Sequence, residues 1–305
     1  MIKTFGDILN EVKRWGPSTI TLAVAQEENL LKAVNEAKNC GIADTILVGN
    51  KVEIESLAMR IGMDLKGFEI VDVEDKEEAS IKAVELVKKG EASLPMKGFV
   101  DTSVILKAVL NKDLGLKTDK LLSHVGVFEI AGYDRLFVLS DSAMVIAPSL
   151  EDKVDIINNA VSVAHALGNP NPKVAILCAV EKVNEKMPAT VDAAKLTEMN
   201  ERGEITGCLI KGPLALDNAV SGDAAIRKGI VHPVAGHADV LITPNIEAGN
   251  ILNKSMAYFG KADKAGIIMG AKVPVILTSR ASSVSSKLNS IALGILVAKK
   301  LNEGR

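Results

Sequence analysis

The chain has 305 residues, of which 48% are apolar and only 3% aromatic, and its formal net charge is −2. That is enough apolar material for a sizeable core built from Leu, Ile, Val and Ala, and about 100–200 residues per domain suggests two domains. The balanced charge, with no basic block and no aromatic–basic pattern, argues against a nucleic-acid partner.

The first stretch, MIKTFGDILNEVKRW, is charged and amphipathic, unlike a signal or transit peptide. Candidate strands then follow at 19–25, 44–49, 69–73, 122–130, 135–141, 173–180, 205–216, 239–245 and 273–279. Most carry consecutive Val, Ile and Leu, as strands covered on both faces do. Helical patterns lie between them. Residues 27–42 place Leu30, Ala33, Val34 and Ala37 on one stripe, with Gly41 as a stop. Residues 149–168 open on Ser149 with Asp152 three positions later, a capping-box pattern, and end at Gly168 before NPNP. Residues 283–304 repeat Val284, Leu288, Ile291 and Ile295 at helical spacing. Strand–helix alternation over the whole length predicts an α/β fold with mostly parallel sheets, in two three-layer α/β/α domains. No long linker separates them. The expected division is 1–139 plus 266–305 for domain I and 140–265 for an inserted domain II, with a ligand cleft between them.

Cys40, Cys178 and Cys208 form no CxxC pair and read as reduced thiols, mostly in the core. The four histidines have no metal-ligand spacing, so no metal is expected. His165 falls within a helix pattern and reads as structural. No apolar run reaches the ~18 residues of a membrane span. A cytoplasmic protein with small-molecule substrates is the expectation.

In open α/β sheets ligands bind beyond the carboxyl ends of strands, where the next helix offers free N–H groups. The segment PVILTSRASSVSS fits that placement, with Thr278, Ser279 and Arg280 at a strand end and a serine cluster at the helix start. Arginine there can fork onto phosphate oxygens or a developing oxyanion. The plainer alternative is that the serines are caps and the arginine makes a surface ion pair. LITPNIEAGN ends a strand in Thr243-Pro244-Asn245 and opens a helix near Gly249 and Asn250, where glycine would admit a ligand close to the backbone. Lys97, Gly98, Thr102 and Ser103 could bind an anion but lack the P-loop pattern, and GIIMGAKV at 266–273 is another near miss. There is no GxGxxG and no G-x-S-x-G elbow. Asp217, Ser221 and Asp223 lie near a further strand end, either in a site or in a polar turn.

Taken together, KGFVDTSVILKAVL, LLSHVGVFEIAGYDRLFVLSDSAMVIAP, KGPLALDNAVS, HPVAGHADVLITPNIEAGNILNKSMAYFGKA and PVILTSRASS resemble the phosphate acetyl/butyryl transferase family, most closely its butyryl-type members. The resemblance covers nearly the whole chain. It implies two α/β domains akin to isocitrate and isopropylmalate dehydrogenases, a homodimer, and an active site in the interdomain cleft. The implied reaction is acyl-CoA plus phosphate giving acyl phosphate plus CoA, with the coenzyme A thioester and inorganic phosphate as substrates and no covalently bound cofactor. By the same resemblance Arg280 would hold phosphate or the oxyanion, and Ser279 would hydrogen-bond the CoA sulfur. Thr278, Ser282, Asn245, Gly249 and Asn250 would line the cleft. Lys107 would meet a CoA phosphate, and Ser123 and Arg135 would contribute to binding. The chain departs from the family pattern at Ser282 and Ser286, where butyryl-type and acetyl-type relatives respectively carry aspartate, and at Val145, where asparagine is usual. Serine is a poor base without a partner, so His124, Asp217 and Asp223 become candidate proton acceptors. A second reading is a relative that binds CoA or acyl phosphate with weak or altered catalysis. A metal-dependent decarboxylating dehydrogenase would need aspartate and arginine sets that the sequence lacks.

Overall fold

A computed structural model describes residues 1–303. The chain divides into a central unit, Met1–Thr4 with Leu121–Lys264, and a terminal unit, Phe5–Lys120 with Ala265–Arg305. The first crossing therefore comes at 120/121 rather than 139/140. The reason is pairing: the strands at 123–129 and 136–140 join the sheet of the central unit.

The terminal unit runs α1 (Phe5–Arg14), β1 (Ser18–Ala23), α2 (Glu28–Asn39), β2 (Ala43–Gly49), α3 (Lys51–Ile61), β3 (Glu69–Asp72), α4 (Lys76–Lys88), β4 (Leu94–Lys97) and α5 (Thr102–Val109). The central unit follows with β5 (Ser123–Glu129), β6 (Leu136–Ser140), α6 (Leu150–Ala166), β7 (Lys173–Leu177), α7 (Pro188–Glu201), β8 (Leu209–Leu214), α8 (Leu216–Val220), α9 (Gly222–Arg227), β9 (Val240–Ile242) and α10 (Ile246–Tyr258). The chain then supplies β10 (Asp263–Met269), β11 (Val275–Ile276) and α11 (Val284–Glu303).

In the terminal unit the strand order is β3-β2-β1-β4-β11-β10, parallel except for the β10–β11 pair. In the central unit it is β5-β6-β9-β7-β8, parallel except for β5–β6. Ile20, Leu22 and Ala23 of β1 and the whole of β6 are buried, which accounts for their unbroken apolar sequence. α11 packs with α1 and α2, and α4 packs with α5 and against β1 and β2. Ser149 and Asp152 form the expected reciprocal cap of α6, and Gly168 follows at φ +83°.

Two strands escaped the sequence reading, β4 and β10. Pro95 inside a four-residue strand argues against one, because proline removes a ladder donor. β11 is shorter than expected: only Val275 and Ile276 pair, and 277–283 is the turn that leads into α11. The cysteines also differ from expectation. Cys208 is buried and Cys178 partly so, and burial pushes both thiols up to about 11, but Cys40 is exposed.

Candidate active site

The carboxyl ends of β1, β4 and β11 lie side by side in the terminal unit, because these strands are parallel neighbours. β4 delivers Lys97 and the turn Gly98–Asp101. β11 delivers Thr278, Ser279 and Arg280. A cavity between them is lined by Lys97, Phe99, Thr278, Ser279, Arg280 and Lys287, with Glu27 and Leu30 from the start of α2 and Gly98 from the β4 turn. Three cations thus meet two carboxylates, Glu27 and Asp101.

The two turns interlock closely. A Cβ on Gly98 would collide with the carbonyls of Ala23 and Val24, and the Phe99 N–H donates to the Val24 carbonyl at 2.8 Å. Val24 itself is left-handed at φ +59°, a strained conformation for a β-branched residue and one that tends to occur at functional sites. Asp101 occupies the N-cap position of α5 yet makes no capping bond. Its Oδ1 instead accepts from Nη2 of Arg280 at 2.7 Å, and the guanidinium carbon lies 5.4 Å from the Phe99 ring centre. The arginine is therefore braced from two directions while staying open to solvent.

Lys287 lies beneath the same turn. It is only 1% exposed, and its Nζ donates to the carbonyls of Ser282 at 2.8 Å and Ser279 at 3.3 Å. Burial holds its pKa below the ordinary lysine range, with Glu27 opposing. One signal could have found this residue: it stands four positions before Ile291, on the buried side of α11, where a lysine needs a partner. The serines divide between two roles. Ser283 Oγ accepts from the Ser286 N–H at 3.1 Å and so caps α11, as the plainer alternative holds. Ser279 remains exposed, and Ser282 is buried against Lys287.

A second polar cluster forms at the carboxyl ends of β6 and β9 in the central unit. His124 is buried, and its Nδ1 lies 3.0 Å from Ser142 Oγ, which accepts from Nδ2 of Asn253 at 3.0 Å. Burial holds the His124 pKa below the ordinary histidine range; Asp141 opposes this and Lys264 adds to it. Asp141 accepts from the backbone N–H groups of Ala143, Met144 and Val145 and of His124. Asn250 donates to the Ser142 carbonyl at 3.2 Å, and Asn245 caps α10 by accepting from Ala248 N at 3.0 Å.

Several sequence candidates have other tasks. α10 begins at Ile246, so Gly249 sits in its first turn, and a Cβ added there would meet the carbonyl of Asp141, Thr243 Oγ1 and Ser142 Cα, so on that side the glycine makes room for the chain itself. Ser123 is fully buried and accepts from Asn159 at 2.9 Å. Arg135 stands at the amino end of β6, about 17 Å from Ser140 at roughly 3.3 Å per residue; its Nε donates to the Ala238 carbonyl, and its guanidinium stacks on Phe137. Lys107 is exposed on α5 and lies 3.7 Å from Glu77, outside the cavity. Asp217 is exposed and lies 3.3 Å from Lys228, and the Asn218 N–H together with Lys228 lowers its pKa. Asp223 is exposed in the first turn of α9. Neither carboxylate lines the cavity at the end of β11, so Asp217→Asn should leave turnover within about threefold of wild type, since exposed pairs of this kind contribute little. A steady-state assay checks this. Among the described residues no group of three or more His, Cys, Asp or Glu is placed to hold a metal, and no helix is long and apolar enough to cross a membrane.

Residues 4–81 and 76–295 match the Phosphate acetyl/butaryl transferase family. The chain is 52% identical to the phosphate butyryltransferase of Clostridium acetobutylicum, over 98% of this chain and 99% of the relative. It is 44% identical to the phosphate acetyltransferase of Thermotoga maritima, over 96% and 100% respectively. Among solved structures, a branched-chain phosphotransacylase from Enterococcus faecalis V583 matches with a TM-score of 0.83 and 34% identity, covering 92% of this chain and 99% of that one. Matches of this extent over nearly the whole chain make it a transferase that belongs to the Phosphate acetyl/butaryl transferase family.

Proposed function

We propose that the chain transfers butyryl, or another short acyl group, between coenzyme A and inorganic phosphate: acyl-CoA + phosphate = acyl phosphate + CoA. The observation that carries this reading is the cavity at the end of β11, where Ser279 and Arg280 share a wall with two buried lysines. Phosphate and thioester are held together, and a phosphate oxygen attacks the thioester carbonyl directly. Arg280 offsets the charge of the tetrahedral oxyanion, and Ser279 donates a hydrogen bond to the departing sulfur. Such preorganised donors stabilise a transition state by several kcal/mol. No covalent enzyme intermediate is required. Lys107, exposed on α5, is suited to a CoA phosphate rather than to the reacting atoms.

The same reading takes the protein as cytoplasmic and as a homodimer. Ile251, Tyr258 and Phe259, on and just after α10, are largely exposed, and Gly249 is the only buried residue of that helix. Apolar residues left open in this way favour a partner surface.

Butyryl-CoA and phosphate are mixed with the protein and free thiol is followed. The expected result is thiol release that depends on phosphate, with a preference among acetyl-, propionyl-, butyryl- and isobutyryl-CoA that sets the chain length. CoA binding without phosphate-dependent release would overturn the transferase reading in favour of a binding relative, the alternative that the serines at 282 and 286 suggest. Turnover that requires NAD(P) and a divalent metal would overturn both.

A further inference from the structure

Acyl transfer from CoA to phosphate moves a proton as well as an acyl group. Acyl-S-CoA plus HPO₄²⁻ gives acyl-OPO₃²⁻ plus CoA-SH: one C–O bond forms, one C–S bond breaks, and the phosphate proton ends on sulfur. Positions 282 and 286, on the turn after β11 and in the first turn of α11, hold serine, which is a poor base without a partner. The carboxylates beside the cavity are already engaged. Both oxygens of Glu27 accept backbone N–H groups, from Asn29 at 3.0 Å and Leu30 at 2.8 Å. Asp101 holds Arg280. No histidine lines the cavity.

Lys97 remains. It closes β4, is 6% exposed, and lines the cavity beside Ser279 and Arg280. Its Nζ donates to the carbonyls of Val100 at 2.8 Å and Gly98 at 3.2 Å, so one of three N–H bonds is left for the cavity. The groups that face it are Arg280 and Lys287 from the β11 turn and α11, Asp101 from the β4–α5 turn, and Glu27 from the start of α2. Burial first, then Arg280, with a contribution from Lys287, pulls its pKa below the ordinary lysine range, and Asp101 opposes. A lysine so placed can exchange its proton with a reacting group. Lys287 shares the burial, but its two bonds hold the carbonyls of the Ser279–Ser282 turn itself, so its proton is tied to the turn's shape.

We propose that Lys97 is the proton carrier of the reaction. As the C–S bond breaks, the ammonium gives its proton to the sulfur. The neutral amine then takes the proton from the phosphoryl oxygen of the product and returns to its starting state. In the reverse direction the amine takes the thiol proton of CoA. This inference rests on the phosphate acyltransferase reading above.

The test uses the purified full chain with butyryl-CoA and phosphate, comparing wild type, Lys97→Arg and Lys97→Ala. Arginine keeps the charge but does not give up a proton, so Lys97→Arg should lose about 10²- to 10⁴-fold in kcat while KM for phosphate changes little. Lys97→Ala should lose a similar factor and regain part of it with added small primary amines. The wild-type profile should fall at alkaline pH, where the ammonium form is lost, and Lys97→Arg should lack that limb. Full kcat in Lys97→Arg overturns the proposal. So does a Lys97→Ala loss confined to KM and insensitive to amines, which would make Lys97 an anion ligand only. If alanine at 97 fails to fold, the arginine variant and the wild-type pH profile decide. Absence of phosphate-dependent thiol release in the wild type is a separate result: it overturns the functional reading and takes this inference with it.

Discussion

Arg280→Ala lowers phosphate-dependent thiol release by about 10²- to 10³-fold, the usual cost of removing a preorganised donor from a developing oxyanion. The expectation follows from how the side chain is held. Its contacts are Asp101 at 2.7 Å and the Phe99 face at 5.4 Å, and both it and Asp101 are exposed. An exposed pair of this kind stabilises a fold by at most about 1 kcal/mol, so the melting temperature should barely move. A stable variant with unchanged kcat/KM would remove Arg280 from the chemistry. A variant that loses activity and stability together would make the arginine a structural brace.

Gly249→Ala should destabilise the central unit by at least about 1–3 kcal/mol, the usual cost of forcing an extra methyl group into a filled space. The added Cβ would run into the Asp141 carbonyl and would lie 2.8 Å from Thr243 Oγ1 and 2.9 Å from Ser142 Cα. A backbone carbonyl cannot rotate aside as a lysine tip can. The Asp141 carbonyl is also fixed by the Thr243 hydroxyl, which donates to it at 2.8 Å. The first turn of α10 would have to lift away, drawing Asn250 off the Ser142 carbonyl. Chemical denaturation measures the loss. An alanine variant as stable as wild type but with a raised KM for CoA would restore the view that this glycine makes room for a ligand.

The long elements and the main loop were legible because their signals are local. Consecutive apolar residues marked β1, β2, β5, β6 and β7, and the Ser149–Asp152 pair marked the start of α6. Arg280 and Ser279 stood out because polar residues end an apolar run. What stayed hidden depends on contacts between residues far apart in sequence. Lys97 was visible as an anion-binding candidate, but not that it closes a strand, which Pro95 disguises, nor that it stands beside Arg280, which depends on β4 and β11 being neighbours. Lys287 looks like an ordinary helix lysine until the turn it supports is placed over it. Gly249 reads as an opening in sequence and is filled in space, because nothing near it in the chain reveals Asp141. Asp217 looked like a free carboxylate because Lys228, its counter-charge, lies on the far side of a helix turn and a break.

The terminal unit is made of the first and last parts of the chain, and this sets an order of events on the ribosome. Domains usually mature as they emerge, amino end first. Here α1 and α2 lack the helix they pack against until α11 has been synthesised, whereas the central unit is complete once Lys264 has been added. The middle of the polypeptide can thus reach its native form before the beginning does. Arg280, carried on the turn between β11 and α11, joins the chain only after the whole of the central unit has been made.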